Sequence, residues 1–235
     1  MVYGNLVLRI GGFHMELTMM RSYINLTWDI HFQEISKYSN FVSPKAQITL
    51  KKVSDFHKST DIFLASRAAK IRELLVPYVQ YCNNLEINPS AIGFEEWMET
   101  VVKDKNVKLA VQIESLYGTC IWLYHAAARA NYPKLSNAAI NVFCGLFHIN
   151  GNPNYSQIEL FDRYLINLCR LKRPLVAQNL EKNEGTNLTN LPYAAQKNDA
   201  RHEEYNQKGQ NIFQGENVDD FVQAFSIVDD LWALR

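Results

Sequence analysis

The stretch NVKLAVQIESLYGTCIWLYHAAAR, residues 106–129, constrains the fold more than any other part of the chain. Written as a helix, it carries Leu109, Ile113, Leu116, Cys120, Leu123 and Ala127 on one apolar stripe. Val107, Val111, Tyr117, Ile121, Tyr124 and Ala128 form a second stripe beside the first. Lys108, Gln112, Ser115, Thr119, Ala126 and Arg129 form a weakly polar strip, with Trp122 among them. A helix that is apolar around most of its circumference needs neighbours on several sides, so the spacing predicts the middle of a helical bundle.

Other segments supply those neighbours. His14 to Trp28 reads as a first helix, and residues 29–59 as a mixed region with at most short helices around Pro44. From Thr60, the stripe Leu64, Ala68, Ile71, Leu75, Tyr78 and Cys82 predicts a long helix, with a kink at Pro77 because proline removes a backbone donor. Shorter helices follow at Phe94–Lys103 and Leu135–His148, and the run NGNPN (150–154) marks a break. Tyr155 to Leu171 has the period of a helix that buries Ile158, Phe161, Leu165 and Leu168. Beyond Pro174, Leu175 to Glu181 extends the pattern, and Lys182 to Asp199 reads as a long loop rich in Asn, Gly and Thr. A short helix near Ala200–Gln207 precedes a last amphipathic helix from Asn217, with Phe221, Phe225, Val228 and Trp232 on one face and Asp219 and Asp220 in its first turn. At the other end, Leu6, Val7, Leu8 and Ile10 form a short β-type run before Gly11 and Gly12. The fold class expected is therefore mainly α: one bundle-like helical domain over residues 1–235 with a single short N-terminal strand.

Composition narrows the function classes. Lys plus Arg and Asp plus Glu are 24 each, which argues against a strongly basic, sequence-indifferent binder of nucleic acid. Cys82, Cys120, Cys144 and Cys169 include no CxxC pair and sit among apolar residues, as buried free thiols do. No apolar run reaches the length of a membrane span, and Arg9 interrupts the only early one, so an intracellular place, nucleus or cytoplasm, is expected. The sequence holds no P-loop, dinucleotide or nucleophile-elbow motif and no HExxH.

Two constellations can carry chemistry. His14 follows Gly11 and Gly12 at a helix start, where free backbone donors and an imidazole converge on one point suited to an anion or a metal-bound ligand. DARHEEYNQK (199–208) offers Asp199, His202, Glu203 and Glu204, then Asn206 and Lys208. On a helix Asp199 and Glu203 share a face, as do Glu203 and Asn206, and two carboxylates beside an amide can hold a hard divalent cation. The plainer expectations are a packing histidine after a glycine turn and a solvated charged helix. His125 is expected to be a hydrogen-bonded core or interface histidine, and His148 a helix-end residue that suits the dipole.

Together these pieces resemble a transposon-associated family of animals and fungi known only as a domain of unknown function. GGFH (11–14) resembles its G-[GD]-[FL]-H element, NPNYSQIELFDRYLINL (152–168) its Asn-Tyr helix, EKNEGTNLTN (181–190) its Asn- and Gly-containing loop, and HEEYNQK (202–208) its E-x-x-N-x-x-K element, with Lys208 one residue early. The resemblance implies descent from a transposase-like nuclease with Mg²⁺ or Mn²⁺ held by an acidic cluster. Glu203 would be the late carboxylate with Asp199 beside it on the metal, and His14 a second catalytic group; Asn206, Lys208, Gly11 and Gly12 would bind. The strands and acidic residue that precede GGFH in that family have no counterpart in this sequence. Residues 5–10 then read as the last strand of a sheet that another polypeptide completes. The expectation is a catalytically incomplete, transposon-derived helical domain, a fragment of a larger protein, acting by interaction with DNA or protein. The alternatives are a metal-dependent nuclease or transposase-like module using Glu203 and His14, and a helical scaffold without a ligand.

Overall fold

The structure, a computed structural model, describes residues 11–182, 185, 186 and 191–197. The chain there is mainly helical. Ten α-helices follow in order: α1 (Gly12–Thr27), α2 (Gln33–Tyr38), α3 (Pro44–Lys51), α4 (Phe56–Asn84), α5 (Ala91–Val101), α6 (Lys105–Ile113), α7 (Thr119–Arg129), α8 (Pro133–Ile149), α9 (Pro153–Lys172) and α10 (Pro174–Lys182). Two single turns of wider π-helix interrupt the series, π1 (Trp28–Phe32) after α1 and π2 (Glu114–Gly118) between α6 and α7. The expected strand at 5–10 and the expected helices from Ala200 and Asn217 lie outside the described residues. Within the expected loop at 182–199, β1 (Gly185–Thr186) pairs antiparallel with β2 (Gln196–Lys197), Gly185 opposite Lys197. No described helix is long and apolar enough to cross a membrane.

Local chemistry sets the helix starts. The Ser43 side chain accepts from Ala46 N–H with Pro44 in the first turn, and Asp55, Ser90 and Asp104 cap α4, α5 and α6 in the same way. Pro133 and Pro153 open α8 and α9, where a missing N–H costs nothing.

The main core lies where α1, α7 and α8 meet. Met15, Met19, Met20, Tyr23 and Ile24 of α1 pack with Phe32, Phe63, Ile121, Phe143, Leu146 and Phe147, all nearly inaccessible. Tyr23 meets Phe63 edge-on at 5.4 Å, and Phe143 meets Phe147 at 5.1 Å. A second, smaller core holds the far half of α4 to α5: Tyr78, Cys82, Trp97 and Met98. The Tyr78 hydroxyl fixes the turn between them, donating to Ser90 C=O at 2.9 Å and accepting from Ser90 N–H at 3.0 Å.

Three expectations about buried faces change. The 106–129 segment is not one helix inside the bundle. It divides at π2, and Val107, Leu109, Leu116 and Trp122 remain about half exposed. The α4 stripe does not stay buried either: α4 runs past Pro77 as one helix, with Ile71 and Leu75 outside and Tyr78 and Cys82 inside.

The largest change is at α9, which is turned over. Ser156, Glu159, Asp162, Ile166 and Cys169 face the protein, while Phe161 and Tyr164 are 60% and 63% exposed. The cause is the partner surface. The side of α8 beneath α9 offers Asn137, Asn141 and the Cys144 carbonyl, and polar α9 residues answer it. Ser156 donates to Cys144 C=O at 2.7 Å, and Arg163 reaches Glu159 at 3.1 Å. Periodicity identifies the apolar face of a helix but not the direction in which it points.

Candidate functional site

Gly11 caps α1 in extended backbone (φ −66°, ψ 132°), so the glycine pair is not there to supply a left-handed turn. Gly12 is required for another reason, since a Cβ on it would sit 2.8 Å from Cδ of Lys197. Lys197 is buried, with Nζ 5.4 Å above the Tyr124 ring and 3.5 Å from Ser136 Oγ. Tyr124 in turn donates its hydroxyl proton to Gly12 C=O at 3.0 Å. The strand that carries Lys197 is tied down by Ala195 N–H donating to Arg129 C=O at 3.1 Å. The start of α1 and the end of β2, remote in sequence, are thus in van der Waals contact across Tyr124.

This contact sets Gly12 of GGFH against Lys197, which precedes the second stretch singled out in the sequence by two residues. His14 stands exposed on the first turn of α1, 6.0 Å from the Phe13 ring centre. Asp199, Glu203, Asn206 and Lys208 lie outside the described residues. The start of α1 carries the positive end of its dipole, and Lys197 adds an ammonium on the same side of the bundle. One turn along, Glu16 is buried and bound to His125 Nδ1 at 2.6 Å, so His125 is a hydrogen-bonded histidine between α1 and α7. Among the described residues no three His, Cys, Asp or Glu side chains gather as metal ligands. A divalent ion at the junction would need the carboxylates of 199–203.

A second cluster was not foreseen from the sequence. Glu114, on π2 and almost wholly buried, binds Arg67 Nη1 at 2.7 Å and Lys70 Nζ at 2.9 Å, and accepts from the Tyr23 hydroxyl. Arg67 also donates to Thr119 Oγ1 at 2.9 Å and lies over Trp122. Lys70 Nζ reaches Nε2 of His31, on π1, at 2.5 Å. Both wide turns therefore feed this one cluster, π1 through His31 and π2 through Glu114. Burial pushes the Tyr23 hydroxyl far up, helped by the Glu114 charge. Burial also opposes charge on Glu114, but Lys70, the Tyr23 hydrogen bond and Arg67 outweigh it and hold the carboxyl below its usual range. Burial pulls Lys70 down despite Glu114, and burial with the Lys70 charge lowers His31 to about 4. His31 is then neutral at pH 7 and accepts from Lys70. The arrangement clamps α1, α4 and α7 around one carboxylate. Its signal in the sequence was Glu114 itself, a carboxylate in the middle of a segment whose other charges, Lys108 and Arg129, stand near its ends.

A polar cleft of about 230 Å³ separates α8 from α9, lined by Asn137, Asn141, Glu159, Asp162, Arg163 and Arg170. The Cys144 thiol beside it is pushed up to about 11 by burial and by Glu159, which leaves it a protonated, unreactive thiol.

Comparison with protein-family models, curated proteins and solved structures gives no match. The functional reading rests on these residues.

Proposed function

We infer that the chain is the helical body of a transposon-derived protein, and that its work is done where its two ends meet. There GGFH and the acidic element 199–208 would form part of a divalent-metal site for phosphodiester chemistry, completed by polypeptide that adds strands beside residues 5–10. One observation carries this reading: Lys197, two residues before Asp199, lies against Gly12, two residues before His14. A helical body inserted between two parts of a site has to return its ends to one place, and the contact of Gly12 with Lys197 supports that reading. Bound Mg²⁺ or Mn²⁺ would neutralise charge on a phosphodiester, while the positive end of the α1 dipole attracts the phosphate.

Calorimetric titration with Mn²⁺ tests the reading. Wild-type chain is expected to bind, and Glu203→Ala and Asp199→Ala to lose binding with unchanged circular dichroism. Equal affinity in all three would overturn it. A second reading, an incomplete remnant acting through binding to protein or nucleic acid, is favoured by the exposed row Ile71, Leu75, Val76 and Val79 on α4. Anisotropy titration of a labelled DNA duplex without metal addresses its nucleic-acid form, and no binding there would remove that form.

A further inference from the structure

The reversed orientation of α9 leaves an apolar face with nothing described upon it. Phe161, Tyr164 and Leu171 are 60%, 63% and 84% exposed, with Ile158 and half-buried Leu168 along the same side. Isolated exposed apolar residues are ordinary, but a whole helix face is a surface that something covers. We propose that the occupant is the chain's own C-terminal segment 217–232, laid antiparallel along α9.

Four observations point to this segment. The first is pattern and length. Phe221, Phe225, Val228 and Trp232 form one face of a helical repeat, and at about 1.5 Å per residue that face is about 17 Å long against about 20 Å for Ile158 to Leu171. The second is charge. Arg170, Lys172 and Arg173 end α9, and Asp219 and Asp220 open the segment with Glu216 just ahead. Antiparallel seating brings these opposite charges together at one end. The third is the path of the chain. Lys197 lies by Ser136 in the first turns of α8, and the same end of α8 shares a cleft with Arg170. The chain therefore leaves the described body beside the end of α9 where the segment would begin, with residues 198–216 as the connection. The fourth is size. A stripe one helix wide and about 20 Å long falls well short of the roughly 800 Å² per partner that separate chains bury in a stable interface. A tethered segment needs far less, because its effective concentration is on the order of millimolar.

The inference is independent of metal binding at the junction, and tryptophan emission tests it. Trp232 is one of four tryptophans, so the difference between the full-length chain and its Trp232→Phe variant gives its spectrum. A docked segment gives a blue-shifted Trp232 spectrum. Phe161→Asp with Tyr164→Asp then moves it to the red at every protein concentration, without loss of helical circular dichroism. Asp219→Lys with Asp220→Lys moves it in the same direction from the other side of the contact, and Leu109→Asp, on an exposed position of α6, leaves it in place. A solvent-like Trp232 spectrum in the unmodified chain overturns the proposal, as does one that ignores both double variants. A spectrum that changes with protein concentration assigns the face to a second copy and also overturns it.

Discussion

At the scale of single residues, Glu114 is the most sensitive side chain described. Two cations and a phenol converge on it inside the protein, and removing its charge leaves Arg67 and Lys70 buried without it. Glu114→Gln is expected to cost about 3–5 kcal/mol, read as a lower urea midpoint. Gly118 protects the same geometry, since a Cβ there would stand 2.5 Å from Glu114 Oε1 and 3.0 Å from Arg67 Nη1. Gly118→Ala should therefore destabilise by about 1–3 kcal/mol, although alanine is the better helix former. His31 adds a pH dependence with a definite sign. Its imidazole titrates at about 4 in the folded chain against an ordinary value of 6.5, so between those values the unfolded chain binds more protons. Stability rises with pH across that window, being complete above about 6.5 and lost by about 4. Glu114, held below its ordinary carboxylate value, adds a loss only at the acid end. Thermal melts at pH 7 and pH 5 should differ more for the natural chain than for His31→Gln, and equal differences would remove His31 from the cluster.

At the scale of elements, the helices were legible but their starts were set late, Thr60 against Phe56 for α4 and Phe94 against Ala91 for α5, although the cause of a start is local. Asp104 shows this, accepting from Asn106 N–H at 2.7 Å and Val107 N–H at 3.3 Å. Asp104→Ala should cost about 1 kcal/mol, seen as a lower melting temperature that Asp104→Ser largely restores. Which side of each helix is buried was less legible, because that depends on a neighbour. The apolar period of α9 is real, yet Glu159 and Asp162 are buried along a polar cleft shared with Asn137 and Asn141 of α8, and Phe161 is left outside. The division of 106–129 at π2 had a trace in the sequence, the Glu114 charge between Ile113 and Leu116. Hydrophobic period alone treats that residue as noise, because its partners Arg67 and Lys70 are supplied by another helix.

At the scale of the whole molecule, the body acts as a frame that closes on itself. The sequence marks Gly11 and Gly12 as special but suggests a turn or an anion cradle, since the lysine that needs the space at Gly12 is encoded at the other end of the described chain. The packing of α1 against α7 and α8, with Tyr124 between the two ends, connects them. If the two ends form one site, separating them should weaken that site without unfolding the frame. Gly12→Val places a branched side chain where Lys197 Cδ now lies, and should cost about 1–3 kcal/mol while the helices persist. Lys197→Met keeps an unbranched stem against Gly12 and removes only the ammonium. Mn²⁺ titration of the pair is informative because their expected outcomes differ. Gly12→Val should lower the affinity by about tenfold or more, a change of at least about 1.4 kcal/mol, and Lys197→Met should leave it within a few-fold. A loss in Lys197→Met equal to that in Gly12→Val would assign the effect to the ammonium rather than to the meeting of the ends. An unchanged affinity in Gly12→Val would mean that the carboxylates of 199–203 bind metal, if they do, without help from the start of α1.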